Sequence, residues 1–147
     1  MERDVRKKIE EYLLSHYYVR LATLKPDGNP LVHTVGYASE GATLYIMTDR
    51  PSRKARNIMN NPHVAYAVDE NYDDFLSIKG IQMTGRARIV QEKAEIDQAR
   101  GLLVKKFKQY STLPPNRDIV IIKVEPVEGY YLDNSVRFGH RERVTFD

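Results

Sequence analysis

A chain of 147 residues with 23 Lys and Arg against 20 Asp and Glu carries a net charge of +3 and has an isoelectric point near 9.0, too small an excess for a dedicated nucleic-acid-binding arm. The absence of cysteine excludes disulfides, thiolate zinc sites and thiol catalysis, and agrees with a reducing, cytoplasmic setting. No apolar run is long enough for a membrane helix, the N-terminal Met-Glu-Arg-Asp-Val-Arg-Lys-Lys lacks the apolar stretch of a signal peptide, and the length suits one domain over residues 1–147.

Val5, Ile9, Tyr12 and Leu13 recur at helical spacing, so residues 3–15 are expected to form an amphipathic helix against the body of the domain. Residues 18–24 and 31–38 read as strands flanking Lys25-Pro-Asp-Gly-Asn-Pro30, a turn cluster in which Gly28 can take positive φ. Ser39-Glu-Gly-Ala42 is expected as the next turn and residues 43–48 as a strand. A short helix then has Ser52 as its N-cap, Ala55, Ile58 and Met59 on its buried face, and Pro62 beyond its end. Val64, Tyr66 and Val68 alternate on a further strand, and residues 69–74 form an acidic loop. Residues 75–90 read as one long bent strand with Gly80 and Gly85 at places of close backbone approach.

Residues 92–110 are expected to be helical, with Ile96, Ala99, Leu103 and Phe107 on one stripe, until Thr112-Leu-Pro-Pro breaks the pattern. Residues 118–124 and 130–133 close the series as two strands. Six or seven short strands in hairpin order, with helices at intervals, indicate a mainly β, α+β fold: an antiparallel split β-barrel with peripheral helices.

The most informative stretch is Thr48 to Pro62. A strand ends at Thr48, a helix starts after Ser52, and Arg50, Arg53, Lys54 and Arg56 crowd its first turn. No acidic side chain lies between Asp49 and Asp69, so the cations lack a partner nearby in sequence. Free N–H groups and the positive end of the helix dipole favour an oxyanion at such a junction.

The opening helix, Leu21-Ala-Thr-Leu-Lys-Pro-Asp-Gly-Asn-Pro, the strand over 31–37, Thr48 with Ser52-Arg53-Lys54, Asn61-Pro62-His63-Val64 and Gly85-Arg-Ala occur in an order that resembles the pyridoxamine-phosphate-oxidase-like family of FMN-binding split β-barrels. The resemblance covers nearly the whole chain. It implies an FMN-binding oxidoreductase, with His33, Thr34 and Val35 along the flavin ring, Met47 and Thr48 beside the ribityl and phosphate, and Ser52, Arg53 and Lys54 as the phosphate grip. It also implies a homodimer with the flavin between subunits, and makes Gln82 a candidate second-subunit contact. Substrate and electron donor are not legible. True pyridoxamine phosphate oxidases carry a longer C-terminal segment with a Trp and an Arg and His on the substrate; this chain has no Trp and ends in Ser135-Val-Arg-Phe-Gly-His-Arg-Glu-Arg-Val-Thr-Phe-Asp. It is therefore not expected to be a true oxidase of that substrate. Arg137, His140 and Arg141 in this tail offer an alternative anion contact, against a solvated or disordered terminus.

Other classes have less support. His16, His33, His63 and His140 show no metal-binding spacing, and the acidic loop lacks the glycine and terminal glutamate of an EF-hand. Tyr66 and Tyr130 are candidates to stack on a ligand, or core residues at strand spacing. Two alternatives share the fold: a deazaflavin-dependent reductase, whose acidic cofactor tail also suits the basic turn, and a non-enzymatic flavin- or haem-binding protein, with His140 as the haem candidate. Neither a nucleic-acid partner nor a membrane is expected.

Overall fold

A computed structural model describes residues 2–112 and 117–146; the Leu-Pro-Pro break expected after Thr112 lies outside them. In chain order the elements are α1 (Glu2–Ser15), β1 (Tyr18–Leu24), β2 (Pro30–Gly36), β3 (Ala38–Glu40), β4 (Thr43–Asp49), α2 (Arg53–Asn60), β5 (His63–Asp69), β6 (Lys79–Ile89), α3 (Lys93–Lys106), β7 (Ile119–Asp133) and β8 (Arg141–Thr145), with short 3-10 turns at Phe75–Ser77 and Lys108–Thr112. The strands form one antiparallel sheet in the order β2-β1-β5-β6-β7-β4-β3, with β8 added on β7. The expected class, an antiparallel split barrel with peripheral helices, is the one observed. No helix among the described residues is long and apolar enough to cross a membrane.

The sheet is forced to curl. β2 and β3 lie at opposite ends of the strand order, yet only Tyr37 separates them in the chain, so the two ends of the sheet must meet. Tyr37 is fully buried, donates its N–H to Tyr17 O at 3.1 Å and its hydroxyl to Leu13 O at 2.7 Å. β2 and β4 approach each other across this seam but share no ladder, which leaves the barrel split.

Strand alternation sorts the side chains. Leu21, Leu44, Ile46, Val68, Ile81 and Ile122 point into the barrel, where Val5, Ile9 and Leu13 of α1 close one end. Tyr45 and Ile121, on the other face of β4 and β7, are covered by Ala99 and Leu103 of α3. Each fully buried large apolar side chain contributes about 1.5–3 kcal/mol, and β4, apolar on both faces, is the strand the two layers share. Gly129 and Gly85 are dictated by close approach: a Cβ on Gly129 would sit 2.2 Å from Gln82 O, and one on Gly85 2.6 Å from Glu125 O.

Several boundaries differ from the sequence reading, each for a local reason. The turn expected at 39–42 is tighter: Ser39 and Glu40 pair with Leu44 and Thr43 as β3, and Gly41 turns with φ 59. The strand expected from residue 75 starts at Lys79, because Asp74 accepts from Leu76 N at 3.0 Å and caps a 3-10 turn. The helix expected to reach residue 110 stops at Lys106, and Lys108–Thr112 tightens into a 3-10 turn. The two strands expected at 118–124 and 130–133 are one, β7: a register shift between Thr84 and Gly85 bulges it near Pro126, a position that tolerates a residue without an N–H. The tail is neither disordered nor merely solvated. It pairs as β8, giving eight strands among the described residues rather than six or seven, with Val144 fully buried as the lone apolar anchor in Arg-Glu-Arg-Val-Thr. Met59, expected inward, is 53% exposed; Asn57 turns inward instead and donates from Nδ2 to Thr23 Oγ1 at 3.0 Å.

Lys106 crowns the Tyr37 seam. Its Nζ lies 3.9 Å from the centre of the Tyr37 ring and donates to Leu13 O at 3.3 Å; burial lowers its pKa from 10.5 to about 8. Above about pH 8 the folded chain has released a proton that the unfolded chain keeps until about 10.5, so this group adds stability as pH rises through that window. Tyr12, Tyr37 and Tyr66, whose pKa values burial pushes up, oppose it above pH 10, where the unfolded tyrosines ionise first. In urea titrations the stability of the wild type relative to Lys106→Met should therefore rise between pH 8 and pH 10; a relative stability independent of pH would show that Lys106 is not desolvated.

Candidate anion and cofactor site at the barrel seam

The site is built where β4 ends. Asp49 O accepts from Ser52 N at 3.1 Å, and Arg50 N donates to Asp118 O at 2.9 Å, so the chain turns sharply into α2. Ser52, in extended geometry, accepts from Ala55 N at 3.3 Å and caps the helix. Thr48 donates its hydroxyl to Ser52 Oγ at 3.3 Å. Two hydroxyls therefore sit together at a helix N-terminus that has no acidic residue in its first turn.

The cations there divide into two groups. Arg50, expected without a partner, pairs with Asp118 at 3.1 Å, while Asp49 is taken by Arg117 at 2.6 Å. Asp118 is distant in sequence, and the antiparallel pairing of β7 with β4 brings it to Arg50. Arg53, Lys54 and Arg56 have no ion pair among the described residues. Lys54 is partly buried, and desolvation lowers its pKa.

His33 comes to the same place from β2. Its Nδ1 is buried without a hydrogen-bond partner, and its pKa is lowered first by burial and then by Lys54 and Arg53. The ring is thus neutral at pH 7, with a donor and an acceptor nitrogen. β2 is bonded to β1 along one edge only, so alternate backbone N–H and C=O groups on its other edge face the seam.

Of the eight residues singled out in the sequence, His33, Thr48, Ser52, Arg53 and Lys54 meet at this seam. The other three side chains lie elsewhere. Val35 packs against the barrel core, Met47 against the cluster under α3, and exposed Thr34 lines a separate hollow with His16, Arg20 and Glu70. Asn57, Thr23 and Lys25 were missed: Asn57 and Thr23 tie α2 to β1, and Lys25 faces α2 across a cleft.

The outer face of the sheet carries a groove of about 490 Å³ lined by Ala22, Val32, Ala67, Gln82, Thr84 and Tyr130, among others. Tyr66, only 5% exposed, is core. The tail lies far from the seam along β7: Thr48 pairs with Val120 near one end of that strand, Arg141 with Leu132 near the other. There His140 has a buried Nδ1 without a partner and Nε2 at 3.4 Å from Glu142, and Arg141 stacks 5.1 Å over Tyr130.

Removing the two positive neighbours tests the assembly without any ligand. In the Arg53→Gln/Lys54→Gln variant the His33 titration followed by NMR should move upward, because cations disfavour the imidazolium. An unchanged midpoint would separate His33 from the helix start.

Known proteins share this architecture. General stress protein 26 of Bacillus subtilis (strain 168) is 25% identical over 125 residues, covering 85% of this chain and 86% of that protein. The crystal structure of general stress protein 26 from Bacillus anthracis str. Sterne superposes with a TM-score of 0.70 at 25% identity, over 96% of this chain and 98% of that one. A heme binding protein from Mycobacterium smegmatis has the same fold, with a TM-score of 0.79 at 18% identity; the match covers 93% of this chain but only 57% of that one. The family model described as pyridoxamine 5'-phosphate oxidase matches residues 5–133, and the chain belongs to that family.

Proposed function

We propose that this protein binds FMN at the seam between β2 and β4 and acts as a flavin-dependent oxidoreductase on a small-molecule substrate in the cytoplasm. The observation that carries the reading is the pair Arg53 and Lys54, without an ion pair among the described residues, on a helix start capped by Ser52 and beside the buried, unpartnered Nδ1 of His33. A terminal phosphate fits this donor set: Arg offers a fork, Lys a point charge, and Ser52 its hydroxyl, into which Thr48 donates. The open edge of β2 and the neutral His33 suit the polar rim of a flat ring. Thr34, Val35 and Met47 are assigned to the ring and ribityl region through their backbone, since their side chains turn away.

When bound, the flavin supplies the electron or hydride transfer; the chain positions it, screens it from water and sets the charge around it. None of the seam residues is needed as an acid or base, because such transfer depends on geometry. The groove over Gln82 and Tyr130, a hollow of mostly apolar lining, supports a homodimer. Pyridoxamine phosphate is not the proposed substrate, as His140 and Arg143 are engaged by Glu142 and Glu128 away from the seam. A deazaflavin would use the same grip. A non-enzymatic haem-binding reading has one observation of its own, the unpartnered buried Nδ1 of His140, at a place remote from the cations; a heme binding protein with this fold stands beside it.

FMN should raise the melting temperature and give the protein an oxidised-flavin spectrum. Arg53→Ala/Lys54→Ala should weaken FMN by roughly 100-fold or more, the loss of two charged hydrogen-bonding groups, and leave riboflavin, which lacks the phosphate, nearly unchanged. Equal loss for both ligands, or a haem spectrum lost in His140→Ala, would overturn the assignment.

A further inference from the structure

A second cluster of cations adjoins the seam. Lys25, Pro26, Arg53, Arg56 and Asn57 line a cleft of about 310 Å³ between the β1–β2 turn and the outer face of α2, a size at the lower end of ligand pockets. Neither Ser52 nor Lys54 borders it; Arg53 belongs to both places. The turn holds Lys25 in position: Lys25 N donates to Asn29 O at 2.9 Å, Gly28 N to Lys25 O at 2.8 Å, and Gly28 takes φ 87. Asp27, the acid nearest in sequence, accepts from Asn29 N at 2.9 Å and is not part of the lining. On the opposite wall, Arg53, Arg56 and Asn57 share one face of α2, three and four residues apart. Asn57 is 6% exposed and fixed by Thr23, so the wall is anchored, and one N–H of its amide remains uncommitted.

Three cations thus converge on a cleft with no acidic lining, and none of them has an ion pair among the described residues. Elsewhere surface cations are paired with acids, as Lys93 is with Asp97 along α3 and Arg88 of β6 with Glu95. Here the arrangement stays repulsive until an anion enters.

We propose that this cleft is a second anion subsite, so that the ligand held at the seam carries a further anionic group beyond its flavin phosphate. The inference rests on the phosphate reading of Ser52, Arg53 and Lys54. The chemistry required is a phosphate or carboxylate linked through the first phosphate, and two sources provide it: the diphosphate of a flavin dinucleotide, or the acidic tail of a deazaflavin. Arg53, shared by the two places, bridges the successive anions.

The experiment compares ligands on the full chain. FAD or an oligoglutamate-tailed deazaflavin should bind the wild type about tenfold more tightly than FMN, a gain expected from one additional charged contact. Lys25→Gln/Arg56→Gln, which leaves Ser52, Arg53 and Lys54 in place, should erase that preference while the FMN affinity stays the same. Which of the two extended ligands gains identifies the source of the anion. Inorganic pyrophosphate against inorganic phosphate, read as the shift in melting temperature, provides an arm without flavin: pyrophosphate should stabilise the wild type more, and the double variant should lose the difference. If FMN failed to bind while pyrophosphate kept its advantage, the flavin reading would fall and the subsite would stand as a diphosphate site. Equal binding of FMN and both extended ligands, or a double variant that weakens FMN as much as the others, would overturn the subsite.

Discussion

Everything in this molecule depends on the single-residue connection at Tyr37. Seven strands in a row form a sheet whose end strands would lie far apart if it stayed open, yet the chain passes from β2 at one end to β3 at the other through one residue. The sheet has to roll up until its ends touch, and the energy that holds them comes from interactions gathered on that residue. Its ring is sealed from water and covered by the Lys106 ammonium, and its hydroxyl meets a carbonyl in the last turn of α1. Leu13 O receives both Tyr37 and Lys106, satisfying an acceptor that a helix end leaves without an intrahelical partner. The closure, the docking of α1 and the docking of α3 are thus one event.

The same constraint explains why the seam is suited to chemistry. A barrel closed by a continuous ladder has no free backbone edge. This one meets by contact instead, so β2 keeps an unpaired edge facing the end of β4, and the strand-to-helix turn after β4 puts two hydroxyls and two unpaired cations at the mouth of the gap. Burial does the rest. It strips Lys54 and His33 of part of their water, which strengthens any charge interaction made there, and leaves His33 Nδ1 without a partner. A buried unpaired polar atom costs about 1–3 kcal/mol, a cost that the proposed ligand would offset.

Much of the fold was legible because it is written in local periodicity. The α1 stripe, the β1–β2 hairpin around Gly28, the Ser52 cap and the alternation of Val64, Tyr66 and Val68 are all recovered from spacing and turn chemistry. What was not legible depends on partners distant in sequence. β7 spans Pro126 only because β6 accommodates the bulge, and β8 exists because α1 and β7 bury Val144, with Glu2 accepting from Thr145 N at 3.0 Å. The site divides the same way. Thr48, Ser52, Arg53 and Lys54 are neighbours in the chain and were found together, whereas the loss of Arg50 to Asp118 and the arrival of Lys25 opposite Arg56 follow from strand pairing and turn placement.

The general equipment of the seam is not chemical: an apolar sheet face, an open strand edge and a place for charge. Which cofactor a given chain takes is then a question of where the cations and imidazoles fall. In this chain the unpaired cations fall at the Ser52 end of the seam and on the adjoining cleft, whereas at the β8 end Arg143 is committed to Glu128 and His140 is in contact with Glu142. Arg141 does not restore the balance, since it stacks on Tyr130 at the groove's rim. A ligand with its charge concentrated at the end of a chain is served by the first arrangement, and one held by His140 as well as by these cations would have to draw on both ends of β7 at once. Within one protomer the fold keeps those ends apart, which is the physical reason the flavin-phosphate reading is preferred to a haem reading through His140.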